Sequence, residues 1–406
     1  MAPESTIERN GQMGGRENDP IKVAIALRAR FWAFDLAREL DRQGLNTKLY
    51  SGFPYFRAKD FGIRRDNYQS LFVPELLPRL GKKLPLGPAQ TAAVDQFSKK
   101  LFDNMLSLIL PKDLDVFVGW SQSCLKAFAA AKKNGAVTIV ERGSSHILSQ
   151  KQILEEEWER QGKKFAGIPQ QVIEREIGGY EAADYLAVPS TFVMNSFLER
   201  GFPREKILLN PFGVDTDVFR PLKEHADDTF RFIFAGGVTL RKGAQYLLQA
   251  FDELNLPDAE LWFVGEKNVD ATHLVQKYES NPKIVFHGSK RQEDLPQYYS
   301  ACNAFVLPSI EEGLAMVQLQ AMACGLPVIH TFNSGASDVV DDGQEGFCIP
   351  LRDIDALKEK MLWCYENQEA TKAMGEQAMN RTRMRHKWSD YAAQAHQYYK
   401  DLLSRS

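Results

Sequence analysis

The sequence predicts an α/β protein that contains two parallel β-sheets. Short apolar runs alternate with helical segments along most of the 406 residues, and this alternation is typical of parallel sheets. It is interrupted at residues 210–228, where an Asn-Pro-Phe-Gly-Val-Asp segment precedes a charged stretch, and it begins again at residue 230. Because 406 residues suffice for two ordinary domains, we expect one sheet on each side of this linker.

The first alternation occupies residues 22–190. Apolar runs that predict buried strands occur at residues 22–27, 47–50, 115–120, 137–140 and 185–190. Helical spacing occurs at residues 32–43, 127–133 and 150–181. Several Pro and aromatic residues between positions 53 and 90 predict an irregular segment there.

The second alternation carries an acidic loop. Its predicted strands occur at residues 230–235, 260–265, 283–286, 304–307 and 328–329. After the strand at 304–307, a Pro-Ser pair leads to Glu311, Glu312 and Gly313, and a helix-like run then ends at a Gly-Leu-Pro sequence. Parallel α/β sheets bind ligands at the carboxyl ends of their strands, and a helix N-terminus attracts phosphate. This loop is therefore a candidate ligand site.

A glycine-rich loop follows the strand at 230–235 and precedes a helix. Gly236 and Gly237 allow the backbone to approach a ligand closely, and Arg241 and Lys242 offer positive charge to a diphosphate. A turn with two solvated basic residues is the alternative interpretation, because such a loop is weak evidence by itself.

Composition excludes several classes of protein. A formal net charge of −3 and a pI of about 6.2 argue against a nucleic-acid-binding protein. The five Cys form no C-x-x-C pair, and Cys302, Cys324 and Cys348 lie in or beside apolar runs, which fits a reducing compartment. There is no P-loop motif and no apolar run of the ~18 residues that a membrane span requires. Residues 1–20 lack the apolar core of a secretory signal and predict a disordered leader.

The acidic loop resembles the donor-site signature of the family-4 retaining glycosyltransferases, which have the GT-B fold. Their pattern is Pro-Ser-x-x-Glu-Gly, a second Glu eight positions after the first, and then Ala-Met-Ala-x-Gly-x-Pro-Val. Glu312 fills the first acidic position, whereas Gln320 stands at the second. The resemblance extends over residues 180–350, including 183–190 and 210–221, and is loose over the first 140 residues.

This resemblance implies two Rossmann-like domains that face each other across a cleft. The expected boundaries are a leader at 1–20, an N-terminal acceptor-binding domain at 21–221 and a nucleotide-sugar-binding domain at 222–385. Residues 386–406 should form a helix that crosses back to the N-terminal domain. Asp215 and Asp217 form an Asp-x-Asp pattern, but because they lie in the interdomain segment we expect no metal site there.

The resemblance also implies a donor site for a nucleotide-diphosphate sugar, with no further cofactor and no metal. The family places an Arg where Gly237 stands, so Arg241 is expected to supply this guanidinium from a shifted position. Glu312 should hold the donor sugar, and Gln320 the ribose unless it is an ordinary helix residue. Glu311 is interpreted as a solvated acid or a partner of the helix dipole. The expected donor-binding residues are Gly236, Gly237, Arg241, Lys242, Glu312, Gly313, Leu314, Ala315 and Gln320, and 333–335 is expected to form a further donor loop.

The N-terminal half offers candidate catalytic and acceptor-binding residues. In the family, a His in a comparable loop lines the cleft near the reacting sugar, so His146 is a catalytic candidate beside Glu312; a structural His is the alternative. Arg142 and Ser144 share that loop, and Arg28 and Arg30 follow the first strand. These four residues are expected to contact the acceptor, although a solvated basic loop also explains Arg28 and Arg30.

The expected function is retaining transfer of a sugar to a hydroxyl group during glycan, polysaccharide or glycoconjugate biosynthesis. The expected partners are a nucleotide-sugar donor and a glycan or lipid-linked acceptor, without nucleic acid, in the cytoplasm. Residues 76–86 mix basic and apolar side chains, which suggests either peripheral contact with the inner membrane face or a packed surface loop. A non-catalytic sugar-nucleotide-binding scaffold and another GT-B enzyme, such as an epimerase or a phosphorylase, remain alternatives.

Overall fold

The computed structural model describes residues 19–81, 87–222 and 227–405. Its first sheet has seven parallel strands in the order β3-β2-β1-β4-β5-β6-β7. These strands are β1 (Lys22–Leu27), β2 (Asn46–Ser51), β3 (Tyr68–Ser70), β4 (Val116–Trp120), β5 (Val137–Glu141), β6 (Tyr185–Val188) and β7 (Ile207–Leu209).

The second sheet has six parallel strands in the order β10-β9-β8-β11-β12-β13. They are β8 (Phe230–Ala235), β9 (Ala259–Val264), β10 (Ile284–Phe286), β11 (Ala304–Leu307), β12 (Val328–Thr331) and β13 (Gly346–Ile349). All residues of β8 and β11 are buried, as expected for strands with helices on both faces. The predicted α/β class with two parallel sheets is confirmed.

Helices connect the strands of each sheet. Those of the N-terminal half are α1 (Ala33–Arg42), α2 (Tyr55–Ala58), α3 (Val73–Gly81), α4 (Pro88–Ile109), α5 (Leu125–Lys133), α6 (Ile147–Arg160), α7 (Gln170–Ala182) and α8 (Thr191–Leu198). Those of the C-terminal half are α9 (Ala244–Leu254), α10 (Thr272–Tyr278), α11 (Leu295–Tyr299), α12 (Met316–Ala323), α13 (Ile354–Glu366), α14 (Gln368–Arg385) and α15 (Trp388–Leu403). No helix in the described ranges is long and apolar enough to cross a bilayer.

The strand order of each sheet indicates where along its edge a ligand would bind. In the first sheet the order reverses between β1 and β4, and in the second it reverses between β8 and β11. Ligands of open α/β sheets bind outside the carboxyl ends of the strands at such a point. The glycine-rich loop follows β8 and the acidic loop follows β11, so the sheet brings these two sequence motifs together.

The last helix, α15, contacts the N-terminal sheet. The side-chain amide of Asn210 donates a 3.0 Å hydrogen bond to the Tyr391 carbonyl oxygen, and the Tyr391 hydroxyl donates to Glu141 Oε1 at 2.9 Å. The Tyr398 hydroxyl donates to the Leu209 carbonyl oxygen at 2.8 Å. The domain boundaries stay predictions, and leader residues 1–18 and linker residues 223–226 lie outside the described residues.

The prediction of an irregular segment at 53–90 is wrong. This region contains α2, β3, α3 and the start of α4. The strand β3 extends the edge of the sheet by pairing with β2, with Leu49 opposite Tyr68. Pro74 lies in the first turn of α3, where a helix tolerates proline, although Pro78 lies inside it. Pairing and packing contacts therefore override the local signal, and residues 82–86 lie outside the described residues.

Candidate active site

A cavity of about 910 Å³ separates the two domains at the carboxyl edges of their sheets. Its N-terminal wall includes Arg30, Phe31 and Trp32, which follow β1, and its C-terminal wall includes Met316 and Gln320 of α12. The volume lies in the range of small-molecule sites.

Lys242 and Glu312, in the loops that follow β8 and β11, form an ion pair and are not among the residues that line this cavity. The Lys242 Nζ atom lies 2.8 Å from Glu312 Oε1, and both side chains are mostly buried. Gly243 makes this approach possible because its φ is +72° and a Cβ atom there would lie 1.9 Å from the Pro308 carbonyl oxygen. The two predicted donor residues are therefore brought together, as are the loops that follow β8 and β11.

The neighbouring glycines pack around the same pair. A Cβ atom on Gly236 would lie 3.2 Å from Lys242 Cε, so Gly236 lies against this side chain. A Cβ atom on Gly237 would lie 3.0 Å from Asn268 Nδ2, which places Asn268 beside the position where the family has an Arg.

The environment of Glu311 shows that its interpretation as a solvated acid or helix-dipole partner is wrong. Its side chain is fully buried, and its carboxylate accepts hydrogen bonds from Ser144 Oγ at 2.7 Å and Ser145 Oγ at 2.7 Å. Gln150 Nε2 donates to it at 3.0 Å. Burial alone would raise the pKa of this carboxyl, but the charge of Arg241 and the serine hydrogen bonds lower the pKa to about 2. Glu311 is thus an ionised interdomain contact.

Arg241 completes this interdomain contact. Its Nε atom donates to the Glu311 carbonyl oxygen at 2.9 Å and to Glu311 Oε2 at 2.8 Å, and its Nη2 atom donates to Ser144 Oγ at 3.3 Å. Nη2 also lies 3.9 Å from Glu312 Oε2. The alternative of a solvated basic residue is therefore wrong for Arg241, whose guanidinium links Ser144 of the N-terminal domain to both glutamates.

The backbone after Glu312 also contacts the N-terminal domain. A Cβ atom on Gly313 would lie 2.0 Å from the Gly143 carbonyl oxygen, and Ser190 Oγ donates to the Gly313 carbonyl oxygen at 2.5 Å. Leu314 and Ala315 are buried, and the Ala315 N–H donates to the Ser334 carbonyl oxygen at 3.3 Å. The Ala315 N–H is therefore paired within the C-terminal domain, and donor binding by Leu314 and Ala315 stays a prediction.

Gln320 is the predicted donor residue that reaches the cavity wall. It is 6% exposed, and the Tyr299 hydroxyl donates to its Oε1 atom at 3.5 Å. Ribose binding by Gln320 stays a prediction.

His146 does not line the cavity. Its Nδ1 atom accepts from the Leu148 N–H at 3.2 Å, so it caps the N-terminus of α6, and its ring packs against Tyr180 and Phe197. Burial, assisted by Arg200 and Arg142, lowers the pKa of His146 to about 4. The structure thus corrects the catalytic prediction: His146 is a buried, neutral helix cap.

The predicted acceptor-binding arginines have different environments. Arg142 is buried, and its guanidinium donates to Glu176 Oε1 at 2.8 Å and to the Ser145 carbonyl oxygen at 3.0 Å. Arg28 is paired with Glu75 at 3.2 Å and Asp95 at 2.6 Å. Both predictions of acceptor contact are therefore wrong in this conformation, because these cations stabilise the N-terminal domain.

Arg30 and Ser144 lie nearer the cleft. The Arg30 guanidinium carbon is 3.8 Å from the centre of the Phe61 ring, and both residues line the cavity. Ser144 lies in the Glu311 contact described above. An acceptor role for Arg30 stays a prediction, whereas Ser144 has a structural partner.

Sequence reasoning missed the aromatic surface of the N-terminal wall. Phe31 has a φ of 34°, which is rare for a bulky residue, yet its side chain is 57% exposed on the cavity wall. Trp32 Nε1 donates to Glu141 Oε2 at 3.2 Å, and burial raises the pKa of Glu141 to about 7. The positions of Phe31 and Glu141 at strand ends were the available signal.

No group of three or more His, Cys, Asp or Glu side chains that could hold a metal occurs in the described ranges. Asp215 Oδ1 accepts hydrogen bonds from the backbone N–H groups of Asp217 and Val218, at 3.0 and 3.2 Å, so it stabilises its own turn.

The C-terminal domain is similar in sequence to a known family. Residues 215–381 match the sequence model of the family described as glycosyl transferases group 1. This match, which covers less than half of the chain, shows that residues 215–381 are similar to group 1 glycosyltransferases. The Arabidopsis thaliana sulfoquinovosyl transferase SQD2 is 26% identical to the chain over 217 residues, which cover 50% of this chain and 42% of SQD2. The chain spans about half the length of the curated relatives it matches, with 42%, 48% and 53% of three of them covered.

Solved structures show that the likeness in fold extends over almost the whole chain. Sucrose-phosphate synthase from Thermosynechococcus elongatus superposes with a TM-score of 0.69 and 18% identity, covering 95% of this chain and all of that one. HepE from Anabaena, in complex with UDP and glucose, gives a TM-score of 0.66 and 16% identity, covering 94% of this chain and 99% of HepE. The two-domain architecture is therefore the GT-B fold.

Proposed function

We propose that this protein is a glycosyltransferase that moves a sugar from a nucleotide-diphosphate sugar to a hydroxyl group of a glycan or lipid-linked acceptor. The observation that carries the proposal is the Lys242–Glu312 pair at the point where the second sheet reverses its strand order. The group 1 match covers these residues, and the cavity that Gln320 lines has room for a small-molecule substrate.

Lys242 would neutralise the diphosphate. Its Nζ atom pairs with Glu312 Oε1 at 2.8 Å, and a diphosphate can compete for this cation because it carries more negative charge than one carboxylate. Once Lys242 turns to the phosphates, the Glu312 carboxylate gains acceptor capacity for hydroxyl groups of the donor sugar. The ion pair thus preorganises both groups before the donor binds.

Gln320 would contact the ribose from the cavity wall. Its amide offers both a donor and an acceptor to the ribose hydroxyl groups, and it is held by α12 and Tyr299. HepE has been seen with UDP and with UDP-glucose, which supports a nucleotide-sugar donor for a protein of the same fold.

The acceptor would bind against the N-terminal wall. Phe31 and Trp32 offer aromatic surface, and Arg30 offers positive charge, across the cavity from Met316 and Gln320. Retention of the anomeric configuration and independence of metals are part of the proposal. They are supported by the resemblance to family-4 enzymes and by the role of Lys242, whose charge stabilises a diphosphate leaving group.

A turnover assay tests the proposal. The full chain is incubated with UDP-, GDP-, ADP- and dTDP-sugars and a panel of glycan acceptors, and released nucleotide and product are measured by mass spectrometry. We expect turnover with one donor class, and Lys242→Ala should lower kcat/KM at least about 100-fold. The matched control is Lys358→Ala, which removes a lysine paired with Glu253 on the surface of the same domain.

The outcomes separate the proposal from its alternative. Nucleotide binding without turnover of any donor would favour the non-catalytic scaffold. Equal losses of kcat/KM in Lys242→Ala and Lys358→Ala would show that Lys242 has no specific role in the site. Inversion of the anomeric centre, read by NMR of the product, would contradict the retaining mechanism alone.

A further inference from the structure

Glu141, the last residue of β5, has a buried carboxyl group that the proposed sugar transfer does not use. Its side chain does not line the cavity. The Oε2 atom accepts a 3.2 Å hydrogen bond from Trp32 Nε1, and the Oε1 atom lies 2.9 Å from the Tyr391 hydroxyl. This carboxyl is therefore bonded to the loop after β1 and to α15, and residues of both segments line the cavity.

Trp32 is held by packing as well as by this hydrogen bond. Its ring centre lies 4.4 Å from that of Phe212 and 5.3 Å from that of Trp120. A Cβ atom on Gly143 would lie 2.4 Å from Trp32 Cη2, so the indole lies against the bare backbone of Gly143. Trp32 also precedes the first residue of α1 and follows the exposed Phe31. A shift of the indole would therefore move the cavity wall on both sides of it.

Tyr391 connects the same carboxyl to the other end of the cavity. Its ring lies 5.7 Å from that of Trp388, one turn earlier on α15. Trp388 lines the cavity together with Lys387 and Ser389. A Cβ atom on Gly213 would lie 2.5 Å from the Trp388 backbone nitrogen, so the start of α15 is closely packed against the interdomain segment. The carboxyl thus links two separate parts of the cavity wall.

No cation of the described residues is paired with the Glu141 carboxyl. The titratable groups that face it are the hydroxyls of Tyr391 and Tyr399, both on α15. The guanidinium of the next residue, Arg142, donates instead to Glu176. Burial therefore raises the pKa of Glu141 to about 7, although the two hydrogen bonds oppose this shift.

The neutral and the ionised carboxyl hold their partners differently. Trp32 Nε1 can only donate, whereas the Tyr391 hydroxyl can donate or accept. The neutral carboxyl therefore carries its proton on Oε1, directed to Tyr391, and still accepts from Trp32 on Oε2. The ionised carboxylate is a buried charge with two neutral donors, which favours the entry of water past Trp32. Ionisation should therefore loosen the packing of the indole.

We propose that Glu141 is a positioning residue for the acceptor, because its carboxyl holds the Trp32 indole and α15 in the arrangement that forms the acceptor wall. It acts through Trp32 rather than by touching a substrate. The same carboxyl makes acceptor binding depend on pH, and its neutral form favours binding. This inference rests on the proposed function, since it concerns the wall against which the acceptor is proposed to bind.

Steady-state kinetics of Glu141→Leu and Glu141→Gln test the proposal. Leucine leaves Trp32 and Tyr391 without their partner, so KM for the acceptor should rise at least about threefold while KM for the donor stays constant. Glutamine can accept from Trp32 and donate to Tyr391, so it should restore the wild-type KM for the acceptor. The matched control is Tyr398→Phe, which removes another hydrogen bond of α15, to the Leu209 carbonyl oxygen, and should leave both KM values unchanged.

A pH series distinguishes positioning from general structural support. Between about pH 6 and about pH 8, the wild-type KM for the acceptor should rise at least about twofold, whereas that of Glu141→Gln should stay constant. NMR of protein labelled with ¹⁵N-tryptophan follows the Trp32 indole N–H, which is assigned by its loss in Trp32→Phe. Its resonance should shift with a midpoint near pH 7 in the wild type and not in Glu141→Gln.

Three results would overturn the proposal. One is an unchanged KM for the acceptor in a folded Glu141→Leu, and another is an equal rise in Tyr398→Phe. The third is a Trp32 resonance that responds to pH equally in the wild type and in Glu141→Gln, a comparison that holds even where Glu141→Leu does not fold. Absence of turnover in the wild type would instead contradict the proposed function, and the Trp32 resonance would still show whether Glu141 controls the indole.

Discussion

The two walls of the cleft differ in how their polar groups are satisfied. On the C-terminal wall, Lys242 pairs with Glu312 and Arg241 pairs with Glu311, so loops from adjacent strands satisfy one another. On the N-terminal wall, an exposed Phe31 in a strained backbone conformation lies beside Arg30, which stacks on Phe61. The proposed donor wall is thus built from two loops that follow adjacent strands of one sheet, whereas the proposed acceptor wall is built from the loop after β1 and its contacts with Phe61. The contrast indicates that donor chemistry is preorganised and that acceptor choice is shaped separately.

Adjacent glutamates on the donor wall should respond in opposite ways. Glu311→Gln removes a buried charge opposite Arg241 and should lower the free energy of unfolding by about 3 kcal/mol. Glu312→Gln should cost less, because the Glu312 and Lys242 side chains keep some contact with solvent whereas Glu311 is fully buried, but it should impair turnover more. Urea unfolding and kcat/KM measure the two effects. Equal stability losses would contradict the assignment of Glu311 as the structural member of the pair.

Glu141 should make stability depend on pH. Burial raises its folded-state pKa to about 7 from 4.5, so the folded state binds this proton more tightly than the unfolded state. The protonated Glu141 carboxyl therefore adds up to about 3 kcal/mol to the free energy of unfolding. This contribution is fully present below pH 4.5 and is lost as the pH rises through about 7. Melting temperatures measured from about pH 5 to about pH 8 should therefore fall more in the wild type than in Glu141→Gln. Parallel curves would show that Glu141 ionises normally.

Gln320→Glu tests whether residue 320 contacts the ribose of the nucleotide. A carboxylate at this position restores the family pattern and accepts stronger, charge-assisted hydrogen bonds from ribose hydroxyl groups. We expect roughly tenfold tighter nucleotide binding by calorimetry, equivalent to about 1.4 kcal/mol. Gln318→Glu, a change at a buried residue of the same helix whose amide donates to Ser334, is the control and should not tighten binding. Unchanged affinity in Gln320→Glu would place the ribose elsewhere.

Phe31→Gly probes the acceptor side with the smallest expected effect on stability. Glycine adopts a φ of 34° without strain, so the free energy of unfolding should change by less than about 1 kcal/mol. Loss of the ring should raise KM for the acceptor while KM for the donor stays constant. Phe31→Leu keeps the backbone strain but removes the ring, and it should show the same split. A change in KM for the donor would contradict the assignment of Phe31 to the acceptor alone.

Much of the central framework was predictable from local patterns. The strands at 22–27, 230–235 and 304–307 were predicted at the residues where they occur, because short, mainly apolar runs leave few alternatives. The pairing of Lys242 with Glu312 follows from two motifs at adjacent strand ends. The prediction that residues 53–90 are irregular was wrong, because β3 and α3 form through contacts with residues distant in sequence.

The errors at the site share one physical cause. Glu311 was read as solvated, and Arg142 and His146 as cleft residues, because each is polar and lies in a loop or at a strand end. The structure buries all three through contacts with the other domain or with distant helices. One sequence position therefore separates Glu311, a structural contact, from Glu312, the candidate donor ligand. The family pattern singles out Glu312, but no local pattern reveals that Glu311 is buried, because its partner Ser145 is supplied by the other domain.

Stabilisation by nucleotides tests most directly whether the donor binds to the C-terminal side of the cleft. Melting temperatures are measured with UDP, GDP, ADP and dTDP for the wild type, Lys242→Ala and Phe31→Gly. The account predicts that one nucleotide stabilises the wild type and Phe31→Gly equally, and that Lys242→Ala loses this stabilisation. Loss of the response in Phe31→Gly, or its full retention in Lys242→Ala, would contradict a donor site built on the C-terminal wall.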